Sequence, residues 1–100
     1  MKLWIDDVRP APSKEYMSCK SVNMAKGIIQ YFEKHFKPLE LIDIDHDAGD
    51  YVGMGGDYIK LLDWLEETGR NYPIKIHSMN PVGRDNMRAI IQRNGWTEVM

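Results

Sequence analysis

Three short apolar runs that each end in acidic or polar side chains, separated by stretches of helical period, restrict the fold of this chain more than any other feature. The runs are KLWID (2–6), LELIDID (39–45) and PIKIHS (73–78), with EYMSCKS (15–21) as a weaker strand candidate. From Ser21 the period changes: Ala25, Ile28, Ile29, Phe32 and Phe36 follow helical spacing, Ser21 or Asn23 is placed to cap, and Pro38 stops the helix. Tyr58, Leu61, Leu62 and Leu65 repeat the pattern, with Asp57 as the expected cap and Gly69 as the terminator. Asn80-Pro81 opens a third helix carrying Met87, Ile90 and Ile91 and ended by Gly95, and WTEVM (96–100) offers a last edge strand. Strands alternating with helices predict an α/β domain with a mostly parallel sheet. Right-handed crossovers then predict helices on both faces, with the first strand central and LELIDID beside it.

One hundred residues fit one domain over 1–100 with one core. A composition of 43% hydrophobic and 28% charged residues excludes a disordered chain, and the apolar runs are too short to span a bilayer. The start MKLWIDD meets acid too early for a signal peptide, and a lone Cys19 fits a reducing cytoplasm as a half-buried filler. The net charge of −2 excludes a broad nucleic-acid surface, leaving local contact with a phosphate or an RNA terminus.

In open parallel sheets, ligands bind beyond the carboxyl ends of the strands. Those ends here carry Asp6-Asp7, then Asp45-His46-Asp47, then His77-Ser78 with Asn80 just beyond. Several carboxylates in one crevice need a cation, donors or open water, and hard oxygen ligands suit Mg²⁺ or Mn²⁺ better than a softer metal. Ser78 and Asn80 lie at the start of a helix whose free amides favour an anion, and Arg84 sits one turn in. Metal ligands facing anion donors describe a phosphoryl site. Arg9 before Pro10 either clamps a phosphate or pairs with a nearby acid. His46 is either a general acid or base or a histidine satisfying loop carbonyls. Asp43 reads as a structural partner of Asp45, His77 as a packed histidine, Trp4, Trp64 and Trp96 as packing residues, and the glycines at 53–56 as a loop over the crevice.

LWIDDVRPAP, DHDAGD and HSMNPVGRDNM together resemble the cyclic-phosphate processing receiver domains, a bacterial family on the response-regulator receiver fold. The resemblance implies a small three-layer, flavodoxin-like domain in which Asp6 and Asp7 match the receiver acidic pair, Asp45 the phosphate-accepting aspartate and Ser78 the switch hydroxyl. Asp47 falls where a receiver offers a backbone carbonyl to Mg²⁺. The chain departs from a signalling receiver in two ways: too few residues separate Asp7 from Ser21 for the first receiver helix, which a loop replaces, and the lysine ending the last receiver strand has no counterpart. Arg9, His46, His77, Asn80 and Arg84 are added donors.

These readings predict a Mg²⁺-dependent protein processing a cyclic phosphate, on a nucleotide or an RNA end. Asp6, Asp7, Asp45 and Asp47 would hold metal, Asp45, His46 and Ser78 would be catalytic, and Arg9, Ser78, Asn80 and Arg84 would bind phosphate. The alternative is a degenerate receiver acting in signalling or protein binding without catalysis. A haloacid-dehalogenase-like phosphatase is a third reading, from the Asp-x-Asp of LIDIDHD, but the chain offers neither the later acidic motif nor a cap domain. The metal reading expects the Asp7 and Asp45 carboxylates within roughly 10 Å of each other, the span of one ion and its shell.

Overall fold

The computed structural model describes residues 1–100. Its strands are β1 (Lys2–Ile5), β2 (Tyr16–Cys19), β3 (Leu41–Ile44) and β4 (Ile74–Ile76), and its helices are α1 (Val22–His35), α2 (Ile59–Glu67) and α3 (Pro81–Asn94). A single 3₁₀ turn, Gly49–Tyr51, follows β3. The four strands form one all-parallel sheet in the order β2-β1-β3-β4, so β1 is central with β3 beside it, as expected.

Strand register explains which residues enter the core. Leu3 pairs with Ile42, Ile5 with Cys19 and Ile44, and Ile44 with Ile76, so these side chains share one face. They form one cluster with Val22, Ala25 and Ile29 of α1, Leu61, Leu62 and Leu65 of α2, and Met87, Ile90 and Ile91 of α3. All three helices therefore cover the same face, which corrects the expectation of helices on both. The cause is strand order: the crossovers β2 to β3 and β3 to β4 run in one direction across the sheet, and right-handedness puts both on one side. Only the step from β1 to β2 runs the other way, and it is the segment between Ile5 and Tyr16, a loop where a receiver has its first helix. In place of the expected third layer of helix, only that loop reaches the opposite face. The opposite face carries the alternate residues, Trp4 paired with Ser18 and Asp43, and the Trp4 indole N–H donates to the Arg9 carbonyl of the loop at 2.9 Å.

The caps follow the sequence in two helices of three. Ser21 Oγ accepts from Met24 N, and Asn80 Oδ1 accepts from Gly83 N with Pro81 at the first helical position. Asp57 does not cap α2: Tyr58 takes that place without a side-chain bond, and Asp57 Oδ1 accepts from Ala48 N across the loop after β3. A bond closing that loop replaces the amide of the helix's own first turn. The segment WTEVM is likewise no strand, making one isolated bridge, Ile74 to Glu98, with the Glu98 carboxylate committed to a forked pair with Arg88 of α3. Cys19 is 2% exposed, and burial pushes its thiol up to about 12, so it packs rather than reacts. No helix is long and apolar enough to cross a membrane.

Candidate functional site

The carboxyl ends of β1 and β3 are neighbours in the sheet, and the acids that follow them meet. One oxygen from each of Asp6, Asp7 and Asp45 lies within 4.8 Å of the other two, well inside the expected span. Asp6 and Asp45 are buried and Asp7 is half-buried. Three hard oxygen donors at this separation could hold a divalent cation.

The three carboxylates are held very differently. Asp6 Oδ1 accepts from the amides of Val8 and Arg9, both at 2.9 Å, while Oδ2 meets Arg9 Nε at 2.8 Å and His77 Nε2 at 2.9 Å. Burial alone raises its pKa, but the Arg9 and Val8 amides, then His77 and the Arg9 guanidinium, outweigh burial and hold Asp6 below the ordinary value of 3.8. Asp45 Oδ1 accepts from His46 N at 2.8 Å, and its Oδ2 lies 3.2 Å from Arg9 Nη2. Asp7 has no donor or ion-pair partner within the chain, so it is the acid most open to an incoming cation. Its carboxylate abuts Gly49, where an added Cβ would overlap Asp7 Oδ2 and where φ is +56°. Only glycine suits that position.

Arg9 thus stands among the acids, pairing with Asp6 and Asp45, the second of its two sequence readings. Behind Asp6 runs a chain of polar contacts on the face away from the helices. His77 Nδ1 lies 2.6 Å from Asp43 Oδ1, its ring stacks on Trp4 with centroids 3.9 Å apart, and the Tyr16 hydroxyl donates to Asp43 Oδ2 at 3.3 Å. Both His77 contacts are hydrogen bonds when the ring carries both N–H protons. Asp43 and His77, which the sequence reading treats as structural, are therefore tied directly to an acid of the crevice, and Tyr16 was missed altogether. The sequence reading expects Asp43 as a partner of Asp45, but it meets His77, and through it Asp6, a pairing that needed the β3–β4 register.

On the opposite rim, the His46 ring donates from Nδ1 to Asp47 Oδ1 at 2.8 Å, which leaves Nε2 as the free nitrogen. The ring packs onto the first turn of α3, where a Cβ on Gly83 would come within 2.5 Å of His46 Cγ. Ser78 is buried, its Oγ accepting from Asn80 N at 3.1 Å, and Arg84 donates to the Ser78 carbonyl at 3.2 Å. Ser78, Met79, Pro81, Arg84 and Asp85 line a shallow open cleft at this helix start. Asp47, engaged with His46, places no side-chain oxygen in the acidic trio. Tyr58, fully buried beneath the acids with its hydroxyl donating to the Lys20 carbonyl at 2.8 Å, has its pKa raised by burial and then by Asp7, Cys19, Asp6 and Asp45.

Gly83→Ala is expected to separate fold from site. Alanine suits a helix better than glycine by about 1 kcal/mol, which offsets part of the cost of displacing a ring 2.5 Å from the new Cβ, so the fold should survive with a modestly lower thermal midpoint. The His46 ring must move, and its Cδ2 and Cε1 NMR resonances should shift while those of the core methyls do not. Unchanged His46 resonances would show that the ring has room.

Comparison with known proteins gives one family. A model described as Cyclic-phosphate processing Receiver domain matches residues 1–93, a span holding every strand and nearly all of α3. No curated protein and no solved structure matches the chain.

Proposed function

The chain belongs to the cyclic-phosphate processing receiver domain family, and from that premise we propose that it is a Mg²⁺- or Mn²⁺-dependent phosphohydrolase opening a cyclic phosphate on a nucleotide or RNA end. The observation that carries this reading is the convergence of Asp6, Asp7 and Asp45 within 4.8 Å, beside a helix start that offers amide, hydroxyl and guanidinium donors. Asp6, Asp7 and Asp45 would hold the ion, with Asp47 contributing through its backbone carbonyl. The ion, when bound, supplies positive charge against the phosphoryl oxygens.

The chain's own groups account for the rest. His46, oriented through Nδ1 by Asp47, has Nε2 free to take a proton from the attacking water. Water oxygen bonds to phosphorus as one ring P–O ester bond breaks, the departing alkoxide takes up a proton, and a phosphomonoester results. Asn80 has its Oδ1 fixed by Gly83 N, which leaves its amide N–H₂ for a phosphoryl oxygen. Ser78 Oγ, Arg9 and Arg84 are the remaining phosphate donors. The buried Ser78 serves this role only after a small movement of its side chain.

A non-catalytic receiver acting through protein binding is the second reading, favoured by one observation: the lone pairs of Asp6 are already taken within the chain. Incubation with 2′,3′-cyclic nucleotides and millimolar Mg²⁺ distinguishes the two. A monoester product that disappears with EDTA is the expected outcome. A stoichiometric acyl phosphate on Asp45 after treatment with a small phosphodonor, with no product from any cyclic substrate, would establish the signalling reading instead.

A further inference from the structure

Asp7 is open to an incoming ion, whereas the oxygens of Asp6, and in part those of Asp45, are already engaged within the chain. Asp6 Oδ1 is saturated by the amides of Val8 and Arg9, and Asp45 Oδ1 is engaged by His46 N. On Asp6 and Asp45 the oxygens not gripped by backbone are the two Oδ2 atoms, and Arg9 holds both, through Nε to Asp6 at 2.8 Å and Nη2 to Asp45 at 3.2 Å. His77 takes the other lone pair of Asp6 Oδ2. A carboxylate oxygen offers about two acceptor directions, so Asp6 has none left for direct ligation while Arg9 is in place. The Arg9 side chain is 42% exposed, so it can leave towards solvent, whereas Asp6 beneath it is fully buried and cannot follow. The amides of the Val8-Arg9 turn stay on Asp6 whichever side chain occupies position 9.

We infer that Arg9 is the built-in counter-cation of this crevice, and that a divalent ion binds through Asp6 and Asp45 only by displacing its guanidinium. The inference rests on the metal reading above and adds to it a competition that sets metal affinity. Two cations drawn to the same oxygens exclude each other sterically and repel at a few ångströms. Arg9 therefore keeps three clustered carboxylates compensated in the free protein and weakens the metal site. Its release couples metal arrival to the freeing of a guanidinium at the crevice rim, where a phosphate would sit.

The test is isothermal titration of the full chain with MnCl₂ and MgCl₂, alongside thermal melts in EDTA and in each metal, for the parent, Arg9→Gln and Arg9→Lys. Arg9→Gln removes the competing charge and is expected to bind Mn²⁺ roughly tenfold tighter or more. It should melt below the parent in EDTA and gain more from metal. Arg9→Lys keeps the charge and should stay nearer the parent, which guards against misreading a folding defect in the glutamine variant. Parent-like or weaker Mn²⁺ binding by folded Arg9→Gln overturns the inference and leaves the metal reading standing. No binding by any of the three proteins overturns the metal reading and the inference together.

Discussion

His77→Ala is expected to lower the thermal midpoint by roughly 12–24 °C at neutral pH, the largest effect of any single change around the crevice. The His77 ring lies between the carboxylates of Asp43 and Asp6, whose side chains are 2% and 0% exposed. Alanine leaves Asp43 with only the long bond from Tyr16, removes one of the donors of Asp6, and strips the stacking partner from Trp4. Breaking a buried pair from one side costs on the order of 3 kcal/mol, because a desolvated charge remains uncompensated. In a domain of this size, each kcal/mol moves the midpoint by about 4–8 °C. The pH dependence follows from Asp6. Its folded pKa is depressed, so its contribution is fully present above the unfolded value of about 3.8 and is lost as pH falls through the lower folded value. His77 is one of the groups that depress it, so the gap between parent and variant should narrow as pH drops below about 4. Calorimetric melts at neutral and acidic pH check both statements. A variant melting within about 2 °C of the parent at neutral pH would mean that the Asp43–His77–Asp6 chain is no strong element of the fold.

The second large effect is on the chemistry. Asp45→Asn keeps the shape of the side chain and the acceptor for His46 N but removes the charge that faces Arg9 and the ion site. Turnover of a cyclic phosphate should fall by a hundredfold or more, the scale reached when a group ordering a metal site is lost and exceeded when a ligand itself goes. Fold should survive, because the side chain reaches the crevice lip rather than the core. Metal-induced stabilisation offers an independent readout: millimolar Mg²⁺ should raise the melting midpoint of the parent and not that of Asp45→Asn, since an ion that binds only the folded state stabilises it by mass action. Equal Mg²⁺ shifts in both proteins would remove Asp45 from the ligand set.

Much of this architecture is legible in the chain before folding. Alternating apolar runs and helical periods mark every strand and helix, because the period of side-chain burial is local to a segment. The meeting of Asp6, Asp7 and Asp45 also follows from local pattern, since strands that end in acids and pair in parallel must deliver those acids to one edge. Ser21 and Asn80 are caps for equally local reasons, whereas Asp57 is not, because a bond to the distant Ala48 amide wins it. WTEVM has strand composition, yet it meets β4 at Ile74 alone.

What the sequence by itself determined is the kind of elements, their order and the chemistry at the strand ends. Tertiary structure alone decided which face the helices cover, that Arg9 lies on the acids, and that His77 backs Asp6 across a separation of 71 residues. The division has one physical cause. Burial period and strand-end composition depend on neighbours along the chain. The face a residue occupies and the partner it meets depend on the register and crossover direction of strands far apart in sequence, and a one-residue change of register would send Asp43 and His77 to the other side of the sheet.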